Sequence, residues 1–180
     1  MIFHETVIRG VVVVEPEPHE DERGFFARTW DAEEFDRRGL NGRLVQCSIS
    51  FNRRRGTLRG MHYQAAPHQE AKLVRCTSGS IFDVAVDLRT ESTSYRRWFG
   101  TELSAVNRLA LYVPEGCAHG FLTLTDDAEV AYQISQFHAP DAARGLRWDD
   151  PAIGIEWPGD VLVVNERDRS YPHLPAEAAA

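Results

Sequence analysis

The feature that most constrains the fold is a run of eight short hydrophobic segments that fill residues 44–135. They lie at 44–51, 57–64, 72–77, 81–88, 98–103, 109–113, 119–125 and 130–135. Turn-forming pairs such as Ser78-Gly79 and Asp126-Asp127 separate neighbouring segments. Short strands at this spacing are typical of antiparallel sandwiches and barrels, so we predict an all-β fold.

The N-terminal region is predicted to add strands and one short peripheral helix. Residues 11–14 are a run of valines, and the segment EPEPHEDERG that follows is predicted to be a loop. Residues 23–30 are predicted to form a strand. Asp31 is placed to cap a helix over residues 32–38, which Gly39 would end.

The chain is predicted to form a single domain over residues 1–180. A length of 180 residues suits one domain, and no internal repeat or long linker divides the sequence. The last residues, LPAEAAA at 174–180, are predicted to be a frayed tail.

Composition argues against several classes of protein. The sequence has no run of eighteen apolar residues and no secretory leader, so we expect no membrane span and a cytoplasmic location. A net charge of −7 argues against non-specific nucleic-acid binding. Cys47, Cys76 and Cys117 are odd in number and lack CxxC spacing, which argues against disulfides and structural zinc. All three are predicted to be small buried residues.

One predicted strand, LRGMHYQ at residues 58–64, carries two side chains suited to chemistry. Arg59 and His62 are three residues apart, so a regular strand would point them to opposite faces. Gly60 between them allows a bend that would bring them together. Considered alone, a histidine on such a strand is most often a buried core residue.

Three further residues are candidates for chemistry. Lys72 is the only lysine among twenty basic residues, and its compact ammonium differs in function from a guanidinium. His119 lies in PEGCAHGF, a tightly turned segment where a backbone can approach a ligand. Tyr132 shares a strand face with two aliphatic residues, which is also what a core tyrosine does.

Two carboxylates share one face of the strand predicted at residues 81–88. Asp83 and Asp87 alternate there with Ile81 and Ala85. Carboxylates on an otherwise apolar face need partners or water. The face therefore lines either a polar barrel interior or the solvent.

A metal site is an alternative to acid–base chemistry in a small β-barrel with scattered histidines. A metal-binding cupin would show an HxH pair, whereas His62 is followed by Tyr63 and Gln64. The residual candidate ligands are His62, His68, Glu70 and His119. Because one ligand of the pair is missing, we expect no metal and no other cofactor.

Five sequence blocks resemble those of the dTDP-4-dehydrorhamnose 3,5-epimerase family, in order and over nearly the whole chain. The blocks are DERGFF at 21–26, LRGMHYQ at 58–64, KLVRCTSGSIFDVAVDLR at 72–89, LSAVNRLALYVPEGCAHGF at 103–121 and RGLRWDDPAIGIEWP at 144–158. The resemblance implies a metal-free jelly roll of cupin type. It also implies a homodimer in which N-terminal strands are shared between subunits.

The resemblance assigns a role to four catalytic residues. His62 matches the base that removes a proton next to the ketone of a 4-keto-6-deoxy hexose, and Asp168 matches the carboxylate that orients its imidazole. Lys72 matches the cation near the ketone. Tyr132 matches the acid that returns a proton to the opposite face.

The resemblance also implies a set of residues that bind the nucleotide-diphosphate sugar. Arg23, Arg59 and His119 match residues that hold the diphosphate and its neighbouring groups. The full binding set is Arg23, Phe26, Arg28, Gln46, Ser48, Arg59, Asp83, His119 and His138.

Several positions depart from the family pattern, chiefly around the nucleoside. The family usually has glutamates where this chain has Arg28 and Ala143, and an aspartate-asparagine pair where it has Cys47 and Ser48. His138 replaces a common tyrosine, and the FNRRRG segment is one residue longer. Two explanations stay open: another nucleotide carries the sugar, or only one of two carbons is inverted.

We therefore predict an isomerase that epimerises carbon 3, carbon 5 or both of a nucleotide-linked 4-keto-6-deoxy hexose. The alternative from another class is a cupin that binds a sugar nucleotide without turnover. A further alternative is a metal-dependent cupin oxygenase or isomerase.

Overall fold

The structure is a computed structural model that describes residues 1–175, and in these residues it is built from short strands with two short α-helices. The strands are β1 (Ile2–Glu5), β2 (Val12–Glu15), β3 (His19–Asp21), β4 (Gly24–Phe26), β5 (Gln46–Asn52), β6 (Leu58–Gln64), β7 (Lys72–Ser78), β8 (Ser80–Asp87), β9 (Trp98–Ser104), β10 (Ala110–Val113), β11 (Cys117–Thr123), β12 (Ala128–Ile134) and β13 (Ala143–Gly145). The helices are α1 (Ala32–Arg37) and α2 (Glu166–Ser170), with a 3₁₀ turn at Pro140–Ala142.

Two antiparallel sheets form the body of the molecule. The six-stranded sheet has the order β1-β2-β10-β7-β12-β5, and the five-stranded sheet has the order β13-β6-β11-β8-β9. A separate hairpin pairs β3 with β4. The predictions of an all-β fold and of a short peripheral helix after Asp31 are confirmed.

The main core lies between the two sheets. It joins side chains such as Val74 and Val130 of the six-stranded sheet to Ile81 and Phe121 of the five-stranded sheet. Because strand side chains alternate between faces, each strand gives only every second side chain to this core. Polar side chains on the inner faces of the strands, such as Asp83 of β8, are therefore buried next to this core.

The carboxylates of β8 belong to this interior. Asp83 and Asp87 are both fully buried, so the solvent-facing alternative for this strand face is wrong. Arg89, Ser92 and Ser94 donate hydrogen bonds to the Asp87 carboxylate. The partners that a buried carboxylate needs are thus supplied by the segment that follows the strand.

The predictions for the cysteines are right at two positions and wrong at one. Cys76 and Cys117 are buried, and burial raises the pKa of their thiols to about 11 and about 12. Cys47 is exposed, as are Ile49 and Phe51 two and four residues further along β5. The alternation of β5, an edge strand, puts all three on its outer side.

Helix α1 covers part of the outer face of the six-stranded sheet. Asp31 caps it by accepting hydrogen bonds from the backbone N–H groups of Glu33 and Glu34, which confirms the predicted cap. Phe35 is buried against the rings of Phe3 and Tyr112, with ring centroids 5.4 and 5.6 Å away. The β5 end of the same face is left open.

The C-terminal residues that can be described are attached to the body. The Leu174 N–H donates to Asp150 Oδ2 at 2.6 Å, and Arg96 donates to the Pro175 carbonyl at 2.7 Å. The rest of the predicted frayed tail, residues 176–180, lies outside the described residues. None of the helices in residues 1–175 combines the length and apolar character required to cross a bilayer.

Candidate active site

A cavity of about 300 Å³ opens between the two sheets. Its lining residues are Ser48, Ser50, Arg59, His62, Lys72, His119, Phe121, Tyr132, Ile134, Asn165 and Asp168. Strands β5, β7 and β12 form one wall, and β6 and β11 form the other. The start of α2 completes the lining.

His62 and Asp168 form a hydrogen-bonded pair on the β6 wall. His62 Nε2 lies 2.7 Å from Asp168 Oδ1, and the Asp168 carboxylate is fully buried. The Gly60 N–H donates to the other carboxylate oxygen at 3.1 Å. Asn165, the N-cap of α2, accepts a hydrogen bond from the Asp168 backbone N–H and so fixes the residue that carries the carboxylate.

The charge of Asp168 determines which nitrogen of His62 carries the proton. Burial raises the pKa of Asp168, but the hydrogen bond and charge of His62 and the Gly60 N–H outweigh it, so the net pKa is lowered. An ionised carboxylate only accepts hydrogen bonds, so His62 carries its proton on Nε2. Nδ1 then has a free lone pair, as a general base requires.

A bend in β6, of the kind that Gly60 allows, brings Arg59 and His62 to the same cavity. Gly60 has a φ of +136°, a conformation that favours glycine, and a Cβ there would lie 2.6 Å from the Gly120 Cα. The pairing of β6 with β11 also shifts register between His119 and Phe121. The irregularity interrupts the alternation that would otherwise separate the two side chains.

Tyr132 reaches the cavity from the six-stranded sheet, on the wall opposite His62. Its hydroxyl lies 3.1 Å from Ser50 Oγ, and its ring meets the His119 ring edge-on at 6.2 Å. Burial raises the pKa of Tyr132 to about 12, and the hydrogen bond with Ser50 offsets this in part. The phenol is therefore protonated at neutral pH and can donate a proton.

His119 and Asp83 form a second, more deeply buried pair. His119 Nε2 lies 2.8 Å from Asp83 Oδ1, and both side chains are 5% exposed or less. Burial raises the pKa of Asp83, which His119 and Lys72 partly offset. Asp83 therefore lies behind the cavity wall and orients His119, which lines it.

The ammonium of Lys72 lies at the start of β7, on the Tyr132 wall. Its Nζ is 2.8 Å from Glu70 Oε1 and 3.4 Å from the His62 carbonyl oxygen. Both charged side chains are only 11% exposed. A positive charge is thus held at the cavity beside the strand that carries the base.

The remaining predicted binding residues lie outside the cavity lining. Arg23, at the turn between β3 and β4, is 85% exposed and pairs with Asp21 of the same hairpin. Phe26 and Arg28 line a separate cavity of about 250 Å³. Gln46 and His138 contact each other, since Gln46 Oε1 accepts the His138 N–H at 2.8 Å.

Three of the four candidate ligands of the metal alternative are engaged in other contacts. His62 pairs with Asp168, His119 with Asp83 and Glu70 with Lys72. Among residues 1–175, no three side chains of the metal-binding types converge.

Several residues that line the cavity were not predicted as site residues from the sequence. Ser50 shares its strand face with Ser48, so β-alternation alone could have found it. Asn165 and its helix carry no apolar periodicity, and Phe121 and Ile134 have the composition of ordinary core residues.

A histidine–aspartate pair facing a protonated tyrosine across a cavity defines the protein as an acid–base enzyme on an antiparallel β-sandwich. The geometry suits removal of a proton on one side of a ligand and delivery of a proton on the other. The chain belongs to the dTDP-4-dehydrorhamnose 3,5-epimerase family, whose model matches residues 5–176. The resemblance in the sequence blocks, the isomerase class and the cupin-like fold are thereby confirmed.

Individual relatives agree with this assignment. The chain is 45% identical to the dTDP-4-dehydrorhamnose 3,5-epimerase of Methanothermobacter thermautotrophicus, over 96% of this chain and 94% of the relative. It is 37% identical to the dTDP-4-dehydrorhamnose 3-epimerase of Streptomyces niveus, over 90% and 78%. The crystal structure of the 3,5-epimerase from Elizabethkingia anophelis NUHP1 matches with a TM-score of 0.94 and 37% identity, covering 96% of each chain.

Proposed function

We propose that this protein inverts carbon 3, carbon 5 or both of a 4-keto-6-deoxy hexose carried by thymidine diphosphate. The observation that carries the proposal is the position of His62 and Tyr132 on opposite walls of one cavity. An inversion requires a base on one face of the sugar and an acid on the other. The names of the relatives support thymidine diphosphate as the carrier.

The reaction follows from the groups that line the cavity. His62 Nδ1 removes the proton from a carbon next to the ketone, and the electron pair of the broken C–H bond moves into the enolate. Lys72 stabilises the developing negative charge on the ketone oxygen. The electron pair then returns to carbon as Tyr132 delivers its proton to the opposite face. Solvent restores the proton of Tyr132 and removes that of His62.

The substrate's diphosphate is assigned to the Arg59 end of the cavity. Arginine presents several N–H donors in a planar fork that matches phosphate oxygens. His119 lies on the neighbouring strand and holds the groups next to the diphosphate. Arg28, Cys47, Ser48 and Ala143 depart from the family pattern. We attribute these departures either to recognition of the nucleoside or to the number of carbons that the enzyme inverts.

A homodimer would explain why three predicted binding residues lie away from the cavity. Arg23, Phe26 and Arg28 follow one another on and after an exposed hairpin, and Phe26 is 70% exposed. The open outer face of β5 presents Ile49 and Phe51, which are 69% and 51% exposed. We assign this face to the hairpin of a second copy, which would bring its Arg23 towards the cavity that β5 borders.

The cytoplasmic location stays a prediction. Its support is the presence of three free cysteines, since reduced thiols are typical of that compartment.

Proton NMR in heavy water tests the proposed function. With dTDP-4-dehydro-6-deoxyglucose, we expect deuterium to enter at carbon 3, carbon 5 or both, and an inverted product to appear. His62→Ala should lower both by about 10²- to 10⁴-fold, the usual contribution of a general base. His173→Ala, a half-exposed histidine outside the cavity lining, is the matched control. A wild-type protein that binds the sugar nucleotide without any exchange would instead be a binding protein.

A further inference from the structure

The side-chain amide of Asn52 is fixed against the protein on three sides. Asn52 ends β5 and is only 2% exposed. Its Nδ2 donates to the Ala128 carbonyl at 3.1 Å and to the Ser50 carbonyl at 3.4 Å. With both donors directed to backbone oxygens, the amide oxygen must point the other way.

That amide oxygen holds the guanidinium of Arg59. Oδ1 of Asn52 accepts a hydrogen bond from Arg59 Nε at 2.7 Å, a short distance for a bond of this type. Arg59 lines the cavity, whereas Asn52 lies behind the wall. Within residues 1–175, the two terminal nitrogens of Arg59 make neither a hydrogen bond nor an ion pair.

The partner of Arg59 is neutral, and this matters for binding an anion. Among the described residues, no carboxylate lies within ion-pair distance of Arg59, whereas Lys72 in the same cavity is paired with Glu70. An amide fixes the plane of the guanidinium without cancelling its charge. The outer edge of the guanidinium, with its four N–H groups, stays available for phosphate oxygens.

We propose that Asn52 is a positioning residue for diphosphate recognition: it orients Arg59 while leaving its full positive charge for the substrate. The inference rests on the proposed function, in which Arg59 holds the diphosphate. Neither the family blocks nor the predicted binding set includes Asn52, which lies within the FNRRRG segment that is one residue longer than the family pattern.

A double-mutant cycle tests whether Asn52 acts through Arg59. Calorimetric titration with thymidine diphosphate is carried out on the wild type, Asn52→Ala, Arg59→Ala and the double variant. We expect roughly tenfold weaker binding for Asn52→Ala and roughly hundredfold for Arg59→Ala, in the range for hydrogen bonds to charged groups. The double variant should bind as weakly as Arg59→Ala alone, because the two residues act in series.

A charge variant separates positioning from simple packing. Asn52→Asp places a carboxylate beside Arg59, so thymidine diphosphate should bind more weakly than to Asn52→Ala. For Asn52→Ala, KM should rise while kcat at saturating substrate changes little, since His62 and Tyr132 are untouched. Asn107→Ala is the matched control: its side chain also makes three hydrogen bonds but lies outside the cavity lining.

Each outcome bears on the inference. Thermal unfolding is measured for every variant, and Asn52→Ser replaces the alanine variant if the latter does not fold. Equal affinity of the wild type and the Asn52 variant would overturn the role of Asn52 and leave the epimerase proposal standing. The role of Asn52 is also overturned if Asn52→Ala weakens binding by the same factor in the Arg59→Ala variant as in the wild type. A wild type that binds no thymidine diphosphate would overturn both proposals.

Discussion

At the scale of single residues, replacing the phenol of Tyr132 should distinguish removal of a proton from inversion of a carbon. In Tyr132→Phe, His62 can still take a proton and return it to the same face. We expect deuterium exchange with retention to continue, while the inverted product forms about 10²- to 10⁴-fold more slowly. Proton NMR of the recovered sugar nucleotide measures both quantities.

The control for this prediction is Tyr95→Phe, which changes a tyrosine outside the cavity lining. Inversion at the wild-type rate in Tyr132→Phe would assign the acid to another group. Loss of exchange together with inversion would place Tyr132 in the first step rather than the last.

Residues with distinctive chemistry could be predicted from the sequence, whereas most of the residues that contact and orient them could not. His62, Lys72 and His119 lie in matched sequence blocks, Tyr132 and Asp168 match family residues outside those blocks, and the structure brings all five to one cavity. Glu70 and Asn52 have no such signal, because their role depends on which side chain lies beside them in three dimensions, whereas Ser50 could have been found from its alternation with Ser48. Arg23 was predicted from its motif, but its place relative to a cavity cannot be read from one chain.

At the scale of elements, the cap of α1 should contribute measurably to stability. The Asp31 carboxylate satisfies two N–H groups at the start of the helix, and the helix buries Phe35. Asp31→Ala is therefore expected to lower the free energy of unfolding by about 1 kcal/mol. Urea denaturation measures the change, with Asp36→Ala on the exposed side of α1 as the control. Equal loss in both variants would contradict a specific role for the cap.

Elements with strong hydrophobic alternation were predicted well, and polar ones were missed. All eight segments between residues 44 and 135 are strands, with ends displaced by a few residues at most. β3 lies in the segment predicted as a loop, because all three of its residues are exposed and its partner is only β4. α2 is five residues long, and its polar sequence ERDRS gives no apolar period. Its only buried residue is Asp168.

At the scale of the whole molecule, the buried carboxylate of Asp87 should make the free energy of unfolding depend on pH. Burial raises its pKa, but hydrogen bonds from Arg89, Ser92 and Ser94 outweigh burial and lower it to about 2. A lowered pKa stabilises the fold above the unfolded-state value near 4, and this stabilisation disappears as pH falls through about 2. The contribution at neutral pH is about 2 kcal/mol.

The variant Asp87→Asn tests this assignment. We expect it to be less stable than the wild type at pH 7 and to show a weaker decline in stability between pH 5 and pH 2. Urea denaturation across this pH range measures both effects, with Asp36→Asn as the exposed control. An unchanged pH dependence would show that other carboxylates cause the acid sensitivity.

The proposed dimer predicts complementation between two inactive variants. If Arg23 serves the cavity of the other subunit, a mixed dimer of His62→Ala and Arg23→Ala contains one site with both defects and one intact site. Random exchange of subunits should then restore about a quarter of the wild-type activity. If Arg23 serves its own cavity, both sites of the mixed dimer stay defective and no activity returns. Sedimentation of the wild type and of Phe51→Glu checks that the face is buried between subunits.

The placement of base and acid on different sheets links the stereochemistry of the product to the packing of the core. His62 and Tyr132 keep their separation only because side chains such as Val74 and Phe121 hold the sheets at a set distance. A densely packed core resists continuous deformation, so that distance is well defined. In a variant whose core substitution lets the sheets shift, His62 would still remove a proton, but more of the sugar would be released without inversion. The ratio of inverted to uninverted sugar in the product thus reports on the integrity of the protein interior.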